Sequence, residues 1–137
     1  MNKICTSLEQ SKKLIELGID INTADMYYEE VCNLPKAIIG NYIFHNQCRE
    51  DRDYKKLSNP VLSPAWSLAA LINIIPQELF DGEYIINITE GIDNKWIITY
   101  DHYENRNHSF YGLSAGADNL VDTCTNIIIK LKERNII

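Results

Sequence analysis

Ionisable side chains crowd one short stretch of the 137-residue chain and are its best candidates for binding or chemistry. The stretch holds Asp101, His102, Glu104, Arg106 and His108. Carboxylates and imidazoles can act as general acids and bases, and an arginine can hold an anion. We therefore predict a ligand-binding site here, with Trp66 as a bulky apolar side chain that lines it. A plain polar turn is the simpler alternative, in which strand alternation puts Asp101 and His102 on opposite faces.

Histidine and cysteine residues offer two other kinds of chemistry. His45 and Cys48 are both zinc-ligand types, and His102 and His108 could complete a site. Because the chain lacks a paired pattern such as CxxC with HxxxH, we predict no metal and no cofactor. A thiolate nucleophile could be Cys48 beside His45, or Cys5 near a helix start, where the dipole lowers a thiol pKa. Neither cysteine lies in a catalytic motif, so we predict no catalytic residue.

Composition narrows the classes of partner. Thirteen basic and nineteen acidic residues give a net charge of −6. This acidic balance argues against a protein that binds nucleic acid by neutralising phosphates, and against a polybasic membrane-surface protein. No apolar run approaches the roughly 18 residues that span a bilayer, and the first residues lack the apolar segment of a signal peptide. The four scattered cysteines then suggest reduced thiols in the cytoplasm.

The N-terminal half predicts mixed elements. Thr6 and Glu9 match a capping box, which predicts a helix over residues 7–17 that stops at Gly18. Further along we predict a helical turn over residues 23–31, a strand over residues 37–44 and a surface loop over residues 46–60.

The C-terminal half gives the clearer pattern. Ser63 as N-cap and Pro64 as first helical residue predict an almost wholly apolar, buried helix over residues 64–75. Alternating apolar residues predict a hairpin of strands over residues 83–89 and 95–103, with a third strand over residues 108–113. Helical spacing returns over residues 117–134.

These elements predict an α+β fold. Helices and strands are segregated along the chain, which favours an antiparallel β-meander packed against a buried helix and a long C-terminal helix. The length fits a single globular domain over residues 1–137.

Three stretches carry a resemblance to a known group of proteins. They are TSLEQSKKL with TADM at residues 6–14 and 23–26, PAWSLAAL at residues 64–71, and ADNLVD at residues 117–122. In this order and spacing they resemble short phage and mobile-element proteins of gut anaerobic bacteria, a group with no established activity. The resemblance implies a cytoplasmic accessory protein and assigns no catalytic residue.

Two functions remain open at this point. The first is a non-enzymatic accessory protein of mobile-element origin that acts through contacts with a host or phage protein, by way of residues 49–56 and 104–108. Loops on a rigid scaffold often carry such contacts. The second is a small-ligand binder or hydrolase-like enzyme with a polar pocket near the meander. The sequence leaves the oligomeric state open.

Overall fold

The computed structural model of the chain describes residues 3–31, 34–39 and 61–137. By its internal contacts the chain divides into two compact units, one over Ile4–Ala70 and the other over Leu71–Ile137 with residues 1–3. Three α-helices and two antiparallel sheets are present in the described ranges, which confirms the α+β class. A single domain over the whole chain stays a prediction.

The first unit opens with helix α1, Leu8–Glu16. The predicted helix is confirmed, but its cap is one residue further on. Ser7 and Gln10, not Thr6 and Glu9, form the capping box: the Gln10 amide N–H donates to Ser7 Oγ at 3.2 Å, and the Ser7 amide N–H donates to Gln10 Oε1 at 2.9 Å. Gly18 has a φ of 84° and ends the helix in the left-handed region, as predicted.

The sheet of the first unit has β1, Met26–Val31, between β2, Leu34–Ile39, and β3, Val61–Ala65. The predicted helical turn over residues 23–31 is therefore wrong. A 3-10 turn at Ile21–Thr23 ends before the strand, and β1 pairs on both edges, which outweighs the helical spacing of a few apolar residues. The predicted strand over residues 37–44 is confirmed up to Ile39. Its remainder and the predicted loop over residues 46–60 lie outside the described residues.

Helix α2, Leu68–Ile74, starts four residues later than predicted. Ser63 and Pro64 belong to β3. Among the strands that the structure describes, β3 pairs with β1 alone, and a proline is tolerated on such an edge strand because no second strand needs its N–H. The hydroxyl of Ser67 takes over the capping role and accepts from the Ala70 amide at 3.3 Å. Leu71 is fully buried, so the prediction of a buried helix holds for this shorter segment.

A partly buried hydrogen-bond network joins elements of the first unit. Thr6 Oγ1 accepts from the Trp66 backbone N–H at 3.0 Å, and Trp66 Nε1 donates to Thr23 Oγ1 at 2.8 Å. The Asp25 carboxylate accepts from the Ser67 backbone N–H at 2.8 Å and from the Ser67 hydroxyl. These residues come from two of the three sequence stretches quoted above, so those two stretches have a structural role in joining α1, β1 and the start of α2.

The second unit contains the predicted meander. Its strands run in the order β4, Glu78–Leu79, β5, Tyr84–Glu90, β6, Trp96–His102, and β7, Ser109–Ala117. The hairpin of β5 and β6 is confirmed, and β7 is longer than the predicted third strand. Register shifts between Thr99 and Asp101 make room for extra residues of β7.

Helix α3, Leu120–Glu133, packs on β6 and β7. Asn119 caps it by accepting from the Asp122 amide at 2.9 Å. One face of the helix is buried and supplies much of this unit's core, together with Ile98, Tyr100 and Leu113 of the sheet. The helix and meander thus form a two-layer scaffold whose strand ends carry the site described next.

Candidate binding groove

Asp101, a predicted ligand-binding residue, is engaged inside the sheet. It is 6% exposed, and both carboxylate oxygens have partners on neighbouring strands. Oδ1 accepts from Ser109 Oγ at 2.7 Å, and Oδ2 accepts from Asn87 Nδ2 at 2.9 Å. The carboxylate therefore ties β5, β6 and β7 together where the register shifts.

His102 shapes the turn that follows β6. Its Nδ1 accepts from the backbone N–H groups of Glu104, at 3.3 Å, and Asn105, at 3.4 Å. An acceptor role for Nδ1 assigns the proton of the neutral ring to Nε2, which lies 4.0 Å from Glu83 Oε1. The imidazole also stacks on Tyr103, with ring centroids 5.2 Å apart.

The other predicted site residues divide between the two units. Glu104, Arg106 and His108 are exposed in the turn between β6 and β7, close in sequence to Asp101 and His102 as expected. A hydrogen bond of 2.7 Å to Glu104 Oε1 raises the pKa of the Tyr103 phenol. Trp66 belongs to the first unit, where its ring is fully buried. A ligand-binding role for these six residues stays a prediction.

An aromatic cluster lies at the same end of the meander and shares no residue with the predicted site. We call Phe80, Tyr84 and Phe110 the aromatic cluster. The Phe80 and Phe110 ring centroids are 5.3 Å apart, and Tyr84 meets Phe110 edge to face at 5.1 Å. His102 extends the series with an edge contact to Tyr84 at 5.5 Å.

Phe80 has an unusual backbone conformation for its side chain. Its φ is 53°, and Asp81 and Gly82 follow with φ of 55° and 88°. Only glycine adopts the left-handed region without cost, and a bulky residue there is an outlier of order 1–2 kcal/mol. The strained turn leaves the phenyl ring 52% exposed. Such strain is often stored at functional sites, so Phe80 is a candidate binding residue.

A groove of about 520 Å³ opens beside the aromatic cluster. It is lined by Pro76, Glu78, Leu79, Phe80, Phe110, Arg134, Asn135 and Ile136. The lining combines apolar walls with one cationic and one anionic side chain, and none of the six predicted site residues contributes to it.

Arg134 is positioned by the C-terminus of α3 and by an exposed part of β7. Its Nη1 donates to the Tyr111 carbonyl at 3.0 Å, and its guanidinium lies over Gly112. Glycine suits position 112 for two reasons. A Cβ there would collide with Nη2 of the guanidinium, and the φ of 71° is one that residues with a Cβ rarely adopt. Within the described ranges, no carboxylate forms an ion pair with Arg134. The sequence carried one signal for the close approach of Arg134 to this strand, namely the isolated Gly112 within the predicted third strand.

The two cysteines that the structure describes are buried. Cys5 is 2% exposed, and burial raises the pKa of the Cys124 thiol to about 11. Reactive thiolates lie in partly exposed, electropositive surroundings, which differ from the buried positions of these two side chains. His45 and Cys48 lie outside the described residues.

Among the described residues, no group of three or more His, Cys, Asp or Glu side chains is arranged to hold a metal ion. The described helices include none with the length and apolar character needed to cross a membrane. Comparisons with protein-family models, curated proteins and solved structures gave no significant match.

Proposed function

We propose that this protein is a non-enzymatic accessory protein that acts in the cytoplasm by binding another protein through the groove of its second unit. Its partner is a host or phage protein, in keeping with the mobile-element resemblance. The observation that carries the proposal is the exposed, strained Phe80 beside the groove that also contains Arg134.

The composition of the groove supports a protein contact. Aromatic residues and arginine are enriched among the few interface residues that dominate binding energy, and the groove contains Phe80, Phe110 and Arg134. Complete burial of a phenylalanine side chain contributes about 1.5–3 kcal/mol, so covering the exposed half of Phe80 would contribute about 1 kcal/mol to binding. Tyr111, 93% exposed on β7, adds a further aromatic side chain near Arg134.

A small-ligand binder or hydrolase-like enzyme is the second candidate. The groove's volume lies in the range of about 300–1,000 Å³ that is typical of small-molecule sites. However, Asp101 is engaged by Asn87 and Ser109, and the groove is lined by other residues than the predicted polar set. The alternative therefore depends on the groove itself and shares its residues with the leading proposal.

Affinity capture with matched variants tests the proposal. The tagged protein is expressed in an anaerobic gut bacterium, the host type that the resemblance implies, and bound proteins are quantified by mass spectrometry. Phe80→Ala should reduce the yield of a dominant, stoichiometric partner at least tenfold. Ile92→Ala removes a fully exposed apolar side chain from the turn between β5 and β6 and should leave the yield unchanged. Equal yields from both variants would contradict a contact at the groove.

A further inference from the structure

We propose that the groove binds a segment of the partner protein in which an acidic side chain lies next to a large apolar one, and that Arg134 binds the acid. This inference rests on the proposed function and names the chemistry of the segment. The groove supplies an apolar wall and a positioned cation side by side, which together specify a segment with both characters.

Arg134 keeps several donors without a hydrogen-bond partner among the residues that the structure describes. A guanidinium has five N–H donors in a rigid plane, and the contact with the Tyr111 carbonyl uses Nη1. Arginine binds carboxylates in a forked, two-bond geometry that lysine cannot reproduce. Because the described part of the chain offers Arg134 no ion pair, its charge is available to an incoming carboxylate.

Phe80 and Phe110 supply the apolar half of the site. Their tilted rings line the groove together with Leu79, which is 4% exposed and forms part of its floor. A phenylalanine or leucine side chain from the partner would pack edge to face or at an offset against these rings. The groove's volume of about 520 Å³ leaves room for such a side chain and its acidic neighbour.

Glu78 limits which acidic segments fit. It lines the same groove, and no described ion pair joins it to Arg134. Its carboxylate can accept from backbone N–H groups of the segment and repels a second acid. The net charge of −6 adds to that repulsion, so the groove selects one carboxylate beside an apolar group over a polyacidic run.

The test is an NMR titration of ¹⁵N-labelled protein with two peptides, acetyl-Gly-Phe-Asp-Gly-amide and its Asn counterpart. We expect shifts in the amides around Phe80, Gly112 and Arg134, and at least threefold tighter binding of the Asp peptide. Arg134→Gln should abolish this preference, whereas Lys132→Gln, which removes a positive charge from the same end of α3 but outside the groove, should keep it. Arg134→Lys keeps the charge without the forked geometry and should show an intermediate preference, and amide spectra confirm that each variant is folded.

Three results would overturn the inference: equal binding of the two peptides, a preference that survives Arg134→Gln, or no shifts at the groove with either peptide. A third titration uses phenylacetate, and binding as tight as that of the Asp peptide would assign the groove to a small aromatic acid instead. The capture experiment distinguishes the two proposals. Partner capture that depends on Phe80, without any Asp preference, keeps the proposed function and removes only the role assigned to Arg134.

Discussion

Gly112→Ala provides a sharp test of how the groove is built. Gly112 has a φ of 71°, and an added Cβ would collide with the Arg134 guanidinium. The colliding atom is at the end of a flexible side chain, so the collision is relieved when Arg134 moves. We therefore expect a folded protein in which Arg134 has left the Tyr111 carbonyl.

The expected loss of stability is modest. A left-handed conformation costs a residue with a Cβ about 1–2 kcal/mol. Loss of an exposed hydrogen bond adds about 0.5 kcal/mol. Alanine also restricts the unfolded chain more than glycine does, which favours the folded state by about 0.4–1 kcal/mol and offsets part of the loss. The free energy of unfolding should fall by about 1 kcal/mol in total. The Asp preference of the groove should weaken to an intermediate level, as expected for Arg134→Lys, because the charge remains but the guanidinium is no longer held in place.

Gly116→Ala is the matched control in the same strand. A Cβ there would meet the Trp96 carbonyl at 3.6 Å and an Ile97 side-chain atom at 3.7 Å, which are ordinary contacts. Urea unfolding and the peptide titration are measured for both variants. If Gly112→Ala matches Gly116→Ala in stability and in Asp preference, the proposed placement of Arg134 over Gly112 is wrong.

Three further predictions concern the buried polar groups. Thr6→Val should lower the free energy of unfolding by about 1–3 kcal/mol, because the buried Trp66 N–H loses its acceptor. Thr89→Val, at the exposed end of β5, is the control and should change the free energy of unfolding by less than about 0.5 kcal/mol. Both are measured by urea titration. Asp101→Ala should lower the free energy of unfolding by about 1–3 kcal/mol, because the Asn87 amide loses its acceptor. Asp101→Asn keeps an acceptor for Asn87 and should lower it less. A loss of partner capture in folded Asp101→Asn would instead indicate that Asp101 has a binding role. The folded state keeps the Cys124 proton between pH 9 and pH 11 while the unfolded state loses it, so stability should fall by about 1 kcal/mol per unit as pH rises through that window. Cys124→Ala should lack this part of the slope, and identical slopes would show that burial does not hold the thiol neutral.

Local sequence patterns predicted the second unit better than the first. Alternation in β5 and β6 and helical spacing in α3 act over a few residues, so they could be recognised without knowledge of distant contacts. The pair Ser63 and Pro64 fits both a helix start and an edge strand. Its pairing with β1, more than 30 residues earlier, decides between them, and no local pattern contains that information.

The groove was harder to predict than the fold. Arg134 and Gly112 are 22 positions apart and meet only because α3 packs on β7. Phenylalanine is a residue type common in protein cores, so Phe80 does not stand out in the sequence. Its left-handed backbone depends on the turn between β4 and β5. The conspicuous ionisable stretch, by contrast, includes Asp101, whose side chain proved to hold the strands together.

Site-specific photo-cross-linking tests the central claim most directly. The photoreactive residue p-benzoylphenylalanine replaces Phe80 in one variant and the fully exposed Ile92 in another, and both are irradiated in the anaerobic host. We expect one dominant cross-linked partner from position 80, joined through a segment with an acidic residue beside an apolar one, and none from position 92. Equal cross-linking at the two positions, or a dominant partner at position 92 alone, would contradict it.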